Sequence, residues 1–329
     1  MVGLFKQKAP GNVAVLFIFA LLLKLPMFLQ PSFTTSVYDG PFYVSFLSSL
    51  LSPQQSLYAA IIGFVLLYLQ AMMVNYLVNE YRMTAKQTFL PAMSFILVTS
   101  LVPEWNKLSA PLVCSVFVLW AFIRMLRLYN LPKAGGKIYN IGLLIALASF
   151  FYVPALLFSG VLLMGILILR PFRLNEIFLF LVGALTPFYF YASYLFLADK
   201  LQWQNILPIM HQPFIKSHPS YWMFGAFVLL GIPFLMGGFY IQAHLRKMLI
   251  QARKNWSILL LFIIVGGFIP FFNTRNDYTN WILIAAPIAA FHSCAYLYPP
   301  RRWVSLVLFF IMLVFVLSVE YAPHSFGNR

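Results

Sequence analysis

The sequence predicts an all-α membrane protein that crosses the bilayer many times, and three observations carry the prediction. Apolar residues make up 62% of the 329 positions and charged residues only 9%, a balance far from that of water-soluble domains. Those apolar residues fall in long runs separated by short polar turns, as helices that span hydrocarbon require. The net charge of +15, from 22 Lys and Arg against 7 Asp and Glu, is the third. In a soluble chain it would point to nucleic acid. Here the cations sit in alternating turns, the pattern that orients a protein in a bilayer, so membrane lipids and no nucleic acid are the expected partners.

About eleven spans follow if each crossing takes roughly 17–25 residues. The runs are Asn12–Leu29, Leu57–Val78, Thr88–Val102, Ala110–Leu128, Ile138–Phe151, Val153–Leu169, Glu176–Leu197, Tyr221–Tyr240, Trp256–Phe272, Thr279–Leu297 and Trp303–Val319. The stretch Ile138–Leu169 is too long for one crossing, and Pro154 supplies a break, so a tight hairpin is expected there. With the N-terminus in the cytoplasm, sixteen of the 22 cationic residues lie inside. The outer side keeps Lys24, Lys107, Lys200, Lys216, Arg275 and Arg329. Lys6 and Lys8 ahead of Val13–Leu23 imitate a secretory signal, but no small-residue cleavage site follows, and the first span is expected to stay as an anchor.

Several chemistries lack their residues. Cys114 and Cys294 lie inside apolar runs, with neither a C-x-x-C nor a His at ligand spacing, so no disulfide, metal or cofactor is expected. His211 and His218 are separated by Pro213 and stand without a carboxylate at ligand spacing. There is no G-x-x-x-x-G-K-[ST], G-x-S-x-G or H-E-x-x-H, which removes support for nucleotide hydrolysis, serine hydrolysis and zinc proteolysis. Few ionisable side chains fall within the runs, which disfavours an ion-relay transporter. No internal repeat or linker divides the chain, so residues 1–329 are expected to form a single membrane domain.

Polar interest gathers on the outer side, which takes Asp39, Glu104, Asp199, Asp277 and Glu320. In the first outer loop, Pro41–Ser52 interleaves Phe42, Val44, Phe46 and Leu47 with serines, a pattern that suits a helix lying in the membrane interface. Asp39 stands at or just before its start, where a carboxylate acts either as a helix cap or as a chemical group. Lys24 either snorkels to headgroups or meets an anionic substrate. Arg275 suits a phosphate through its planar fork, or pairs with Asp277. Glu104 and Lys107 either complete a polar site or form a solvated pair. Tyr278 is a neighbour for a phosphate or a belt aromatic.

The order of motifs resembles the C-type (GT-C) membrane glycosyltransferases, the group of protein O-mannosyltransferases and lipid A aminoarabinose transferases. Tyr38-Asp39-Gly40-Pro41-Phe42-Tyr43 occupies the place of that group's catalytic acid, in the first outer loop ahead of an interfacial helix. The Gly142-led hairpin to Leu169-Arg170, Leu185-Thr186-Pro187-Phe188-Tyr189, His218-Pro219-Ser220-Tyr221-Trp222 with Gly231-Ile232-Pro233-Phe234, and Phe271–Tyr278 through Ala286-Pro287 follow in the same order. The chain also resembles an uncharacterised family of Bacteroidota inner-membrane proteins, above all over Asn75–Leu169. The resemblance implies a GT-C-like fold in a bacterial inner membrane and transfer of a sugar from a polyprenyl-phosphate donor at the periplasmic face. It makes Asp39 the catalytic carboxylate, with Arg275, Lys24, Tyr278, Glu104, Lys107 and His218 as substrate-binding candidates. Two positions depart from the pattern: Gly40 stands where a second acid is usual, and Ala110 stands where an acid commonly opens the fourth span. These departures keep a second reading open, a non-catalytic protein of the same fold that binds lipid or assists envelope assembly.

Overall fold

The computed structural model describes residues 2–7, 9, 11–34, 39–50, 56–200, 221–269 and 278–321. The helices are α1 (Val2–Phe5), α2 (Gly11–Leu23), α3 (Leu25–Leu29), α4 (Pro41–Leu50), α5 (Ser56–Glu80), α6 (Leu90–Ser100) and α7 (Ala110–Leu126). They continue with α8 (Gly135–Phe151), α9 (Phe158–Leu169), α10 (Leu174–Leu197), α11 (Tyr221–His244), α12 (Ile250–Phe268), α13 (Ala285–Leu297) and α14 (Arg302–Tyr321). Over the described residues, each apolar run expected to span coincides with a helix or a broken helix. Leu57–Glu80, Leu174–Leu197, Tyr221–Lys247, Thr279–Leu297 and Trp303–Glu320 are long and apolar enough to cross a bilayer, and shorter apolar helices stand among them. This is a multi-pass membrane protein, in which helices satisfy the backbone groups that lipid cannot.

Two short helices, α6 and α13, go to the centre. All of α6, from Leu90 to Ser100, is buried, and so is nearly all of α13. Their hydroxyls turn back on their own backbone: Thr99 Oγ1 donates to the Phe95 carbonyl at 2.9 Å and Ser100 Oγ to that of Ile96 at 2.8 Å. The long helices surround them and carry the lipid-facing side chains, among them Phe178, Leu185 and Phe190 on α10, Phe224, Leu235 and Phe239 on α11, and Phe310 and Val314 on α14. Gln70 Nε2 donates to the Leu112 carbonyl at 3.1 Å, and Tyr81 hydroxyl to that of Ile123 at 2.8 Å. The two partners advance in step, so α5 and α7 run parallel with α6 returning between them.

Where helices meet most closely, glycine makes room. A Cβ on Gly142 of α8 would lie 2.2 Å from the Phe180 carbonyl oxygen of α10, and one on Gly183 would lie 2.2 Å from that of Tyr139. The two backbones therefore touch through reciprocal glycines, as small residues allow in membranes. Gly237 of α11 meets the Phe291 carbonyl of α13 in the same way, at 2.0 Å.

Charged residues gather at the two ends of the bundle. At one end Arg170 grips Glu176 through two hydrogen bonds of 2.9 and 2.7 Å and also donates to the Leu128 and Leu131 carbonyls, tying α7, α9 and α10 together. Lys254 Nζ donates to the Ile168 carbonyl at 2.7 Å, and Trp256 Nε1 to that of Met83 at 3.0 Å, at this same end. The other end, one length of the 25-residue α5 away, roughly 37 Å at about 1.5 Å per residue, holds Lys24, Asp39, Glu104, Lys107 and Glu320.

The glycine crossings make a prediction. Gly142→Val and Gly183→Val should each lower the thermal unfolding midpoint in detergent, at a cost of roughly 1–3 kcal/mol from overpacking. Gly160→Val and Gly238→Val, where nothing lies within 4 Å of the new atom, should leave it nearly unchanged. Equal effects at all four positions would contradict the crossing.

Candidate functional site

The site is built on a helix end. Pro154 lies in the 3-10 turn Val153–Leu157 that follows α8, and the chain leaves the helix at Tyr152, which is extended (φ −147°, ψ 108°). The last carbonyls of α8 are left without helical donors. Gly40 fills the gap: its N–H donates to the Phe151 carbonyl at 2.8 Å, and Asp39 pairs with Tyr152 in an antiparallel bridge. The approach is so close that a Cβ on residue 40 would lie 1.9 Å from the Phe150 carbonyl oxygen. No side chain fits there, so the second acid expected from the resemblance is excluded by packing against α8.

Gly40 also starts α4. Its carbonyl accepts from Tyr43 N at 3.0 Å and Val44 N at 3.2 Å, so Gly40 holds the cap position and Asp39 precedes it. Tyr43 points inward and is fully buried, with its hydroxyl on the Thr34 and Leu108 carbonyls at 3.1 and 3.2 Å. Burial, with the nearby Asp39 carboxylate, holds that phenol well above its ordinary pKa. Phe42 turns the other way and stacks on Phe150 at 4.9 Å, with Tyr191 6.0 Å from it and Phe188 5.0 Å from Phe150. Half-buried Asp39 thus heads an interfacial helix beside an aromatic wall.

Thr34 and Tyr43 connect this region to a second one. Thr34 N donates to the Leu108 carbonyl at 3.0 Å, and Phe33 bridges Leu108, so the start of the first loop lies along the segment after the 3-10 turn Pro103–Asn106. Pro26, unable to donate to a helical carbonyl, breaks the first span at Lys24. The Lys24 side chain is 2% exposed. It donates to Thr99 Oγ1 at 3.0 Å and to Asn106 Oδ1, and Asn106 Nδ2 donates to the Glu320 carboxylate on α14. The amide has one orientation that serves both, its oxygen toward the ammonium and its NH2 toward the carboxylate. The charges of Glu104 and Lys107 also reach Glu320. A cavity of about 610 Å3 lies beside this network, lined by Gln30, Ser32, Asn106, Lys107 and Glu320.

The structure therefore brings Lys24, Glu104 and Lys107 together, with Asp39 further along the same loop. Lys24 does not reach the headgroups; it is enclosed, and Lys107 is the cation that lines the cavity among the described residues. Tyr278 accepts a hydrogen bond from buried Trp105 Nε1 through its carbonyl at 2.7 Å and sets its ring against Phe227 and Trp281. Arg275 and His218 lie outside the described residues. Among the described residues no group of three His, Cys, Asp or Glu could hold a metal. Sequence reasoning missed Asn106, Thr99 and Glu320 as a set. An acid at the end of the last apolar run and a lysine inside the first were the available signal, since ionisable groups in spans seek each other.

The network predicts a coupling between the first and last spans. Lys24→Met should destabilise the protein by about 3 kcal/mol, because it strands a partly buried carboxylate. Adding Glu320→Leu to Lys24→Met should recover most of that loss in thermal unfolding. Additive losses would mean that the two groups do not interact.

No curated protein sequence matches the chain. Among solved structures, the crystal structure of ArnT from Cupriavidus metallidurans bound to undecaprenyl phosphate matches with a TM-score of 0.52 and 13% identity. The match covers 93% of this chain and 64% of ArnT, so the chain spans less than two thirds of that protein's length. At this identity the likeness shows the fold alone, a helical, ArnT-like arrangement of the described residues. A model described as "Family of unknown function (DUF6427)" matches residues 15–324, and the chain belongs to that family.

Proposed function

We propose that the protein transfers a sugar from a polyprenyl-phosphate donor to an acceptor at the outer face of a bacterial inner membrane, with its N-terminus in the cytoplasm. The observation that carries this reading is the placement of Asp39. It is held by the end of α8 at the head of an interfacial helix, in the first loop of an ArnT-like fold. ArnT itself was crystallised with undecaprenyl phosphate, and a lipid-borne donor of that class suits the aromatic wall of Phe42, Phe150, Phe188 and Tyr191.

Asp39 acts as general base. As the acceptor oxygen or nitrogen attacks the anomeric carbon, its proton passes to the Asp39 carboxylate. The bond from that carbon to the phosphate oxygen breaks, and polyprenyl phosphate leaves with the electron pair. Lys107, which lines the cavity beside Asn106 and Glu320, supplies the charge that meets the phosphate. Lys24 acts from behind, keeping Asn106 and the cavity wall in place.

A second reading has its own support. The closed approach at Gly40 leaves Asp39 without an adjacent acid, as suits a protein that binds the lipid without turning it over. Purification followed by mass spectrometry of bound lipids, with transfer assayed from a polyprenyl-phosphate sugar, separates the two. The catalytic reading expects copurified polyprenyl phosphate and a loss of about 100- to 10,000-fold in transfer for both Asp39→Asn and Asp39→Ala, with lipid retained. Lys107→Gln should release lipid instead. Retained lipid with no transfer by the wild type supports the binding protein, and absence of polyprenyl phosphate overturns both.

A further inference from the structure

The opposite, Lys- and Arg-rich end of the bundle contains a cavity of about 710 Å3, large enough for a lipid headgroup. It lies between the N-terminal segment, the α5–α6 turn and the hairpin that joins α13 to α14. Lys6 and Lys86 line it together with Gln7, Tyr298, Ser305 and Leu306, and among the described residues no carboxylate does. These walls are fixed by hydrogen bonds. Asn79 exchanges two with Thr88, of 2.8 and 3.0 Å, and closes the turn; Phe89 N donates to the Phe5 carbonyl at 2.8 Å. The Tyr298 hydroxyl accepts from Ala85 N at 3.1 Å, which leaves its own proton to donate. Ser305 Oγ donates to the Tyr296 carbonyl at 2.9 Å and fixes the start of α14.

Two features point to a lipid rather than a free anion. Leu306, on the cavity wall, begins a row with Phe310 and Val314 at four-residue spacing along α14, and all three are exposed. Such a row faces acyl chains, because residues four apart share one face of a helix. Trp303, also exposed, stands at the helix start, where an aromatic ring marks the headgroup level. Phosphate to the lysines and a chain along that row describe one molecule.

We infer that this cavity binds the headgroup of an anionic phospholipid from the leaflet on its own side. Basic pockets between spans are suited to this chemistry. The site is independent of the proposed transfer reaction and stands if that proposal fails.

The test uses the full chain purified in neutral detergent, with bound lipid read by native mass spectrometry. Phosphatidylglycerol should bind in preference to phosphatidylcholine. Lys6→Gln with Lys86→Gln should weaken phosphatidylglycerol retention roughly 30-fold, at about one kcal/mol for each lysine near the surface. Neither side chain is buried, so thermal unfolding without lipid should not change. Lys133→Gln with Lys137→Gln, at the same end but outside the cavity, should retain wild-type binding. Equal loss in both double variants would show only a general attraction to the basic end and would overturn the site. Displacement of the lipid by millimolar inorganic phosphate would also overturn it, in favour of a free-anion pocket.

Discussion

A single backbone hydrogen bond, from the Gly40 N–H to the Phe151 carbonyl, decides where the first loop can go. It exists because Pro154 and the extended Tyr152 end α8 before the chain turns back, leaving a carbonyl that needs a donor. In an apolar setting such a carbonyl is costly to leave unmet, so the loop is drawn onto the helix end. Gly40 is the residue type that allows the backbones to meet. The consequences run outward: α4 starts at the Gly40 carbonyl, Tyr43 is driven inward, and Asp39 is presented beside Tyr152.

The buried network from Lys24 through Asn106 to Glu320 plays a complementary part. It joins the first span to the last, across the short turn that carries Glu104 and Lys107. In a bilayer, where apolar side chains are equally at ease against lipid or protein, polar links and close glycine crossings select one arrangement of helices. Here the glycines set the α8–α10 and α11–α13 crossings, and the Lys24 network closes the bundle at the Asp39 end. Lys24 is thereby committed to structure, while Lys107 lines the cavity beside Glu320.

Much of the fold was legible in the chain because it depends on local signals. Apolar runs marked the helices, Pro154 marked the hairpin, and Lys and Arg in alternate turns sorted the two ends. The interfacial helix was legible from serines interleaved with Phe42 and Val44. The site was legible only in part. Asp39 was visible as a rare acid at the head of that helix, but the reason for Gly40 lies at Phe150, more than a hundred positions away. Glu320 and Lys24 stand at opposite ends of the chain, and their pairing follows from the packing of α6 and α14 rather than from any spacing. From spacing alone Lys107 fits either a polar site or a solvated pair with Glu104, and only the cavity beside Glu320 gives it a setting.

The position of Asp39 depends most on the joint between Asp39-Gly40 and the end of α8. Asp39 and Tyr152 are paired across an antiparallel bridge, a geometry with Cα atoms about 4.5–5.5 Å apart, within disulfide reach. Both native cysteines are buried, so oxidation of Asp39→Cys with Tyr152→Cys in native membranes gives a clean readout by the mass of the alkylated chain. The expected result is an intramolecular disulfide that is lost when Gly40→Val is added. A pair that stays reduced under oxidant, or a crosslink that survives Gly40→Val, would contradict it.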